Sequence, residues 1–411
     1  MVAALRSLGR GSVAPMPLQD LSVVDTADAL PAALATIADL DAVGVDVERA
    51  DWDRYYREAA LIQVGGSGRV VVVDPMTVTE LEPLHEFLQT RLTVFHAVEN
   101  DLDPIVALGV KPDELCDTAV AAAVLGMPTG LEGLLRDVLG VELAGDKSAM
   151  QRANWEARPL TEQMLAYAAG DVADLPQLWE VLSERLEDTG RLAWYEQELA
   201  ALLALPSVED RRKWFRTKGA GRLDPLARAR LRQLWEVREE LGQDTNTAPG
   251  RIASDAVLVD LAATPPTAIT ELGRRGVRRQ AVRDFGPALL AALDPAAAPE
   301  AEPRDRSRSP ADRDRSLIDA LRQVRAERAK RLKIDAGVLC PNRTLGPAVL
   351  ADPATPDDLR DALGVRPWQW EQLGDAFCDA LGLQGPGRPP PPADPPIDDE
   401  ATIDEEPDHD D

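Results

Sequence analysis

Residues 60–74 read ALIQVGGSGRVVVVD, two apolar runs rich in β-branched residues joined by GGSG. That pattern predicts a β-hairpin over 60–65 and 69–74, because glycine accepts the positive φ that a tight hairpin turn demands. Further strand signals occur at 43–48 (VGVDVE) and 93–97 (TVFHA). Helical periodicity is expected over 28–40, 79–90, 99–109, 130–139 and 161–186. Strands alternating with helices around one hairpin predict an α/β domain with a mixed sheet, spanning residues 20–200 after a short N-terminal extension, 1–19.

Beyond residue 222 the strand signals stop. Residues 222–295 are expected to be all-helical, opening with LARARLRQLWEVREELG, and a second all-helical unit is expected over 313–385. Between them, 296–312 belong to a Pro-, Ala- and charge-rich stretch that reads as a linker. The two units resemble each other. APGRIASDAVLVDLAATPP (248–266) aligns with CPNRTLGPAVLADPATPDD (340–358) at an offset of 92, and RRGV later aligns with ALGV after a small shift. Such self-similarity points to a duplicated helical module. The C-terminal stretch 386–411, Pro-rich and then acidic, is expected to be disordered.

Cys116, Cys340 and Cys378 lie far apart, which argues against a disulfide framework or a zinc ribbon. Three histidines, His85, His96 and His409, exclude a His-rich metal site. Any metal must therefore be held by carboxylates, which suits a hard cation such as Mg²⁺ or Mn²⁺. No run of 18 apolar residues and no signal-type apolar segment near the N-terminus occur, so neither a membrane span nor a membrane partner is expected and a cytoplasmic location follows as the default. The net charge of −26 argues at first against a nucleic-acid partner. Its distribution softens that: residues 394–411 hold ten Asp or Glu and no Lys or Arg, whereas 211–251 hold eleven Arg or Lys against five acids.

Asp46 and Glu48 alternate with the valines of the 43–48 strand, so both carboxylates project from one face of a sheet. Like charges about 4 Å apart repel by roughly 4 kcal/mol at an effective dielectric near 20, so such a pair needs a reason. A solvated edge strand is one. Asp101, in FHAVENDLDPI, follows a strand and opens a predicted helix, where a favourable macrodipole contact is the simpler account and Glu99 competes for any role. In LAYAAGDVADL, Tyr167 and Asp171 share a helix face, with Asp174 competing. Taken together, Asp46, Glu48, Asp101 and Asp171 supply four carboxylates and Tyr167 a hydroxyl. That donor set suits two divalent cations about 3.5–4 Å apart for in-line phosphoryl displacement. Removing the repulsion by binding metal should raise the melting temperature.

The set DVE (46–48), HAVENDL (96–102) and YAAGD (167–171) resembles the three motifs of the DEDD superfamily of 3′–5′ exonucleases, in its tyrosine branch. DKSAMQRANWEARPLTEQMLAYAAGDV (146–172) is similar to the ribonuclease D family, and the helical units resemble its helicase-and-ribonuclease-D C-terminal (HRDC) modules. The resemblance implies a ribonuclease H-like mixed-sheet exonuclease domain followed by two all-α HRDC-type modules. It implies Asp46, Glu48 and Asp171 as ligands of one metal, Asp46 bridging to a second, Asp101 on that second metal, and Tyr167 positioning the attacking water. His96 and Lys147 match positions near the active centre and are carried over as substrate-binding candidates. As simpler accounts, His96 can be a satisfied core histidine and Lys147 an ordinary surface lysine.

The implied activity is metal-dependent 3′–5′ exoribonuclease action, with Mg²⁺ or Mn²⁺, releasing nucleoside 5′-monophosphates from single-stranded 3′ ends in the processing of tRNA or other stable RNA. The same chemistry on DNA, and a non-catalytic RNA-binding protein on a nuclease fold, are the rivals; a monomer is the expected state. RRKWFRTKGAGR and RRGVRRQAVR offer phosphate contacts in the first module, while a solvated helix face is the plainer account. Trp368 and Trp370 are expected to pack inside the second module.

Overall fold

The structure, a computed structural model, describes residues 20–49, 53–143, 147–206, 212–293 and 312–383. The expected extension over 1–19, all but the last residue of the expected 296–312 linker, and the expected tail lie outside these residues.

Six strands form one mixed sheet: β1 (Asp20–Val24), β2 (Ala42–Arg49), β3 (Ala59–Gly66), β4 (Arg69–Val73), β5 (Leu92–Phe95) and β6 (Glu114–Asp117), in the order β1-β4-β3-β2-β5-β6. The predicted hairpin is β3–β4. Its turn places Ser67 at φ 52° and Gly68 at φ 74°, both left-handed, as a two-residue hairpin turn requires. β2 pairs antiparallel with β3 and parallel with β5, and β5 pairs parallel with β6. β1 and β6 escape the sequence reading. DLSVV and ELCD are short, and they become strands by lying parallel to β4 and β5 at the sheet's two edges.

Val43, Val45 and Val47 of β2 point to one face and join Ile62, Val64, Val71 and Val73 in a core closed by Leu30, Leu34, Leu84, Leu88 and Ile105. The other face carries Gly44, Asp46 and Glu48, as strand alternation dictates. Upon it packs the Glu162–Ala173 helix, which reaches β2, β3 and β4. Gly44 makes that approach possible: a Cβ there would lie 2.5 Å from the Val172 carbonyl oxygen and 2.9 Å from the Leu175 Cβ. The single helix expected over 161–186 is in fact two, Glu162–Ala173 and Leu175–Asp188, broken at Asp174 (φ −114°, ψ 5°). Pro176 explains the break: it lacks an amide hydrogen and is tolerated in a helix's first turn but not in its interior.

Among the described residues each helical module has five α-helices. The first runs Pro225–Thr245, Pro249–Ile252, Asp255–Ala263, Ile269–Arg274 and Arg279–Ala291; the second runs Asp312–Leu332, Ala336–Leu339, Asn342–Leu350, Pro356–Leu363 and Pro367–Leu381. Helix starts at 225, 249 and 255 pair with 312, 336 and 342, each 87 residues on, and 279 pairs with 367, 88 on. The offset of 92 suggested by the sequence is therefore corrected. Buried Leu231, Leu234, Ile252, Leu258 and Leu272 match buried Ile318, Leu321, Leu339, Leu345 and Leu359 at the offset of 87. The slipped alignment rested on Pro, Ala and Asp, which recur wherever helices begin and end, and ignored the buried positions that define a fold. The later RRGV/ALGV alignment was in register: Gly276 (φ 98°) and Gly364 (φ 62°) are equivalent left-handed turns.

The packing divides the described chain into two compact units. The first holds the sheet and the first helical module. There Gly242 abuts Tyr55, whose hydroxyl donates to Glu239 (3.1 Å) and accepts from Gln243 (3.1 Å), and the Asn246 amide caps the backbone of Tyr55 and Tyr56. The second unit holds residues 120–128, 180–200 and the second module. In it Trp368 is fully buried, but not within the module alone as expected: it stacks on Trp194 (4.6 Å, 16°) of the Leu192–Leu203 helix and its indole donates to Glu198 (2.8 Å) of the same helix, while Trp370 is half-buried.

Candidate active site

β5 pairs with β2 only as far as Gly44. Past that point the two strands part, and Asp46 and Glu48 face the gap from the middle of the sheet, not from a solvated edge. Tyr167 and Asp171 enter from the helix above. Ligand oxygens of Asp46, Glu48 and Asp171 all lie within 4.8 Å of one another. These residues line a cavity of about 870 Å³ together with Asp101, whose side of the wall is built by the turn after β5.

That turn is sharp. Ala97 adopts φ 64°, ψ 54°, a conformation costly for a residue with a Cβ. Asp117, buried at the end of β6, secures it: one carboxylate oxygen accepts from the Val98 amide (2.7 Å) and the other from Ala119 (2.7 Å). Asp101 then starts the Leu102–Ala107 helix but makes no side-chain cap, and is 4% exposed. The macrodipole account of Asp101 thus leaves its carboxylate unexplained, and the cavity explains it. Glu99 is exposed and is not part of the cavity wall. Asp174 is buried at the helix break, outside the acid group.

Burial acts on Asp46, Glu48 and Asp101, and the charge of neighbouring acids acts on the last two. Burial pushes the Asp46 carboxyl up to about 6. Burial, then the charges of Asp46 and Asp171, push Glu48 up to about 9. Asp101 is held well above the usual carboxylate range by burial and then by Asp46. Arg49, which lines the cavity beyond a β-bulge at Glu48/Arg49, lowers all three but does not offset these effects. Tyr167 is raised by burial and by the charge of Asp171, to which its hydroxyl donates, so it stays protonated.

Gln63, opposite Asp46 across the β2–β3 ladder, is fully buried, and neither end of its amide has a hydrogen-bond partner among the described residues. Three acids within ligand distance, a fourth nearby, and an orphaned amide in the same layer fit a hard divalent cation with its waters.

The sequence reading assigned no role to Trp155, Arg158 or Asp117. Trp155 is buried against Tyr167 (6.2 Å between ring centroids), and its indole donates to the Met150 carbonyl (3.2 Å). Arg158 fastens that segment by pairing with buried Asp74 (2.5 Å) and donating to the Ala60 carbonyl (3.0 Å). A buried tryptophan and a paired arginine are visible in NWEARP, but their partners are 84 and more residues away in sequence or on another helix. His96 Nδ1 meets Thr118, whose hydroxyl donates to the Phe95 carbonyl (3.1 Å), and His96 is not part of the cavity wall. The Lys147 side chain lies outside the described residues.

Comparison with known proteins gives the following matches. The family described as 3′-5′ exonuclease matches residues 21–187, and the HRDC domain matches twice, at 227–293 and 314–381. The chain is 32% identical over 372 residues to ribonuclease D of Sphingobium indicum, covering 84% of this chain and 91% of that protein. It is 32% identical over 356 residues to ribonuclease D of Pseudomonas paraeruginosa, covering 82% and 92%. The crystal structure of Escherichia coli RNase D, described as an exoribonuclease involved in structured RNA processing, superposes with a TM-score of 0.70 at 24% identity, over 89% of this chain and all of that one.

Proposed function

Since this chain belongs to the ribonuclease D family of 3′–5′ exoribonucleases, we propose that Asp46, Glu48, Asp101 and Asp171 hold two divalent cations, Mg²⁺ or Mn²⁺, at which the terminal phosphodiester of an RNA is hydrolysed. The observation that carries this reading is the group of three half-buried acids within 4.8 Å of one another, with buried Asp101 in the same cavity. When bound, the cations supply a water that is acidic enough to ionise near neutral pH and positive charge for the leaving 3′ oxygen. Asp46 and Glu48 present their carboxylates from a strand interior, where packing fixes them. Asp171 comes from a helix seated on that strand through Gly44.

Tyr167 keeps its proton and aims its hydroxyl at the acids, so it serves as a donor and orients the attacking water. Trp155 holds its ring in place. Exposed Arg152, on the cavity wall, offers a cation to an incoming phosphate. The cavity accepts a 3′ end, so nucleoside 5′-monophosphates leave one at a time. The substrates that fit are single-stranded 3′ ends of tRNA precursors and other stable RNAs, encountered in the cytoplasm; no described helix is long and apolar enough to cross a membrane.

The test is digestion of 5′-end-labelled single-stranded RNA with Mn²⁺, beside a DNA of matched sequence. A ladder that shortens from the 3′ end, with 5′-monophosphate products, is expected for the wild type and not for Asp171→Ala. Equal digestion by both proteins overturns the assignment; faster digestion of the DNA overturns the choice of RNA.

A further inference from the structure

The segment leading into the first helical module, residues 211–222, holds six Arg or Lys and no acid in a chain whose net charge is −26. Trp214–Arg216 form a single 3₁₀ turn. Lys213 is the extended N-cap of that turn (φ −144°, ψ 129°), and its side chain and that of Arg216 reach one cavity wall while that of Phe215 does not. Lys213 and Arg216 are exposed, neither has an ion-pair partner among the described residues, and both line a cavity of about 610 Å³ shared with Trp235.

Phe215 is not on that cavity wall and is 57% exposed. It is nonetheless braced. Its ring stands edge-on to Trp214 (5.9 Å, 86°), and Trp214 lies under the Arg228 guanidinium (5.4 Å) and packs on the module's core. A braced aromatic with a free face among unpaired cations has the features of a stacking platform for nucleic acid.

The segment is also tied to the active site. Arg212 lies over the Tyr55 ring (4.7 Å) and pairs with Glu239 (3.3 Å). Tyr55 stands seven residues after Glu48, in the loop leaving β2, and Arg57 of that loop donates to the Glu99 carbonyl (2.9 Å), two residues before Asp101.

We propose that Phe215, Lys213 and Arg216 form a second RNA subsite that holds the single-stranded substrate upstream of its 3′ end. Phe215 stacks on an unpaired base, and the two cations contact the flanking phosphates. This rests on the exoribonuclease reading above. Single-stranded RNA is favoured over duplex because a stack needs an open base face, and over a protein partner because the segment 211–222 that carries the ring holds six cations and no acid, although Glu239 and Asp255 also line the neighbouring cavity.

The experiment measures affinity of the full chain for single-stranded RNA of about a dozen nucleotides, and for a blunt RNA duplex, with metal chelated so that nothing is hydrolysed. Phe215→Ala is expected to weaken single-strand binding about 5- to 150-fold, the range of one base–aromatic stack, with the salt dependence unchanged. Phe215→Trp is expected to bind like wild type and Phe215→Leu like Phe215→Ala. The double variant Lys213→Gln/Arg216→Gln is expected to flatten the slope of log K against log salt by about 1.4. Unaltered melting curves confirm that the variants are folded. Single-strand affinity of Phe215→Ala equal to wild type overturns the subsite, and an exposed Phe215 would then point to a protein partner. An equal loss on the duplex overturns the stacking role. The two readings fail separately: a wild type that trims RNA while Phe215→Ala binds normally sinks the subsite alone, and a Phe215-dependent binder that hydrolyses nothing sinks the nuclease reading alone.

Discussion

The acid cleft and the heart of the first helical module bury charge in opposite ways. In the module, Arg238 is 4% exposed and nearly fully partnered: Nη1 donates to the Ala253 carbonyl (3.1 Å) and to Asp255 (2.7 Å), and Nη2 to Glu239 (3.1 Å). Glu239 in turn accepts from Tyr55 and Arg212. The second module repeats the device 87 residues on, with Arg325 donating to the Cys340 carbonyl (2.7 Å) and to Asn342 (3.4 Å). In the cleft, Asp46, Glu48 and Asp171 face one another, and the charges of Asp46 and Asp171 raise the cost of ionising Glu48. Closed networks of this kind hold a fold together, whereas a buried group of like charges is a place kept for a ligand of opposite charge.

The largest break in this comparison should come from the cleft. Asp46→Asn or Asp171→Ala is expected to lower single-stranded RNA hydrolysis on the order of 10³-fold or more, ~4 kcal/mol of transition-state stabilisation. Metal-free thermal stability should hold or rise, since a repelled buried charge has gone; a clear fall in stability would mean that the acids are structural. Arg238→Met should do the reverse. It leaves Glu239 buried without one cation and frees the Ala253 carbonyl, a loss of about 3–5 kcal/mol measured by urea denaturation.

Mn²⁺ or Mg²⁺ should stabilise the wild type by about 2.7 kcal/mol at a hundredfold excess over Kd, read as a rise in Tm, and should do so much less for Asp46→Asn. An unchanged wild-type curve would remove the case for a cation in the cleft. The metal-free protein should also lose stability as pH rises. Asp46 and Glu48 titrate higher in the folded state, about 6 and about 9, than unfolded, so the folded state binds more protons between about pH 4 and 9. The stability present below about pH 4 declines across that window, and saturating metal should flatten the decline. The smallest effect is expected for Trp155→Ala, which frees Tyr167. A drop in kcat of about tenfold, ~1.4 kcal/mol, with KM little changed is the expected outcome.

Much of the cleft was legible in VGVDVE and YAAGD, because strand and helix periodicities alone place Asp46 beside Glu48 and Tyr167 beside Asp171. The duplication was legible too, but its register was not. Helix caps repeat in composition, and the true offset shows only where Leu258 meets Leu345 in equivalent cores. Choosing Asp101 over Glu99 needed the strained Ala97 turn and its anchor Asp117, which sits in a strand too short to announce itself.

By itself the sequence determined the kinds of element, the candidate carboxylates and the family likeness, since those follow from local spacing and residue type. Tertiary structure alone decided which acids meet. Gly44 admits the Val172 backbone, so Asp171 descends onto Asp46 and Glu48 while Asp174 turns away at the helix break. It likewise decided that Phe215 keeps an open face while Trp368 loses its own to Trp194. Local sequence sets where a side chain points along its own element, but burial and charge pairing depend on what other elements bring to it.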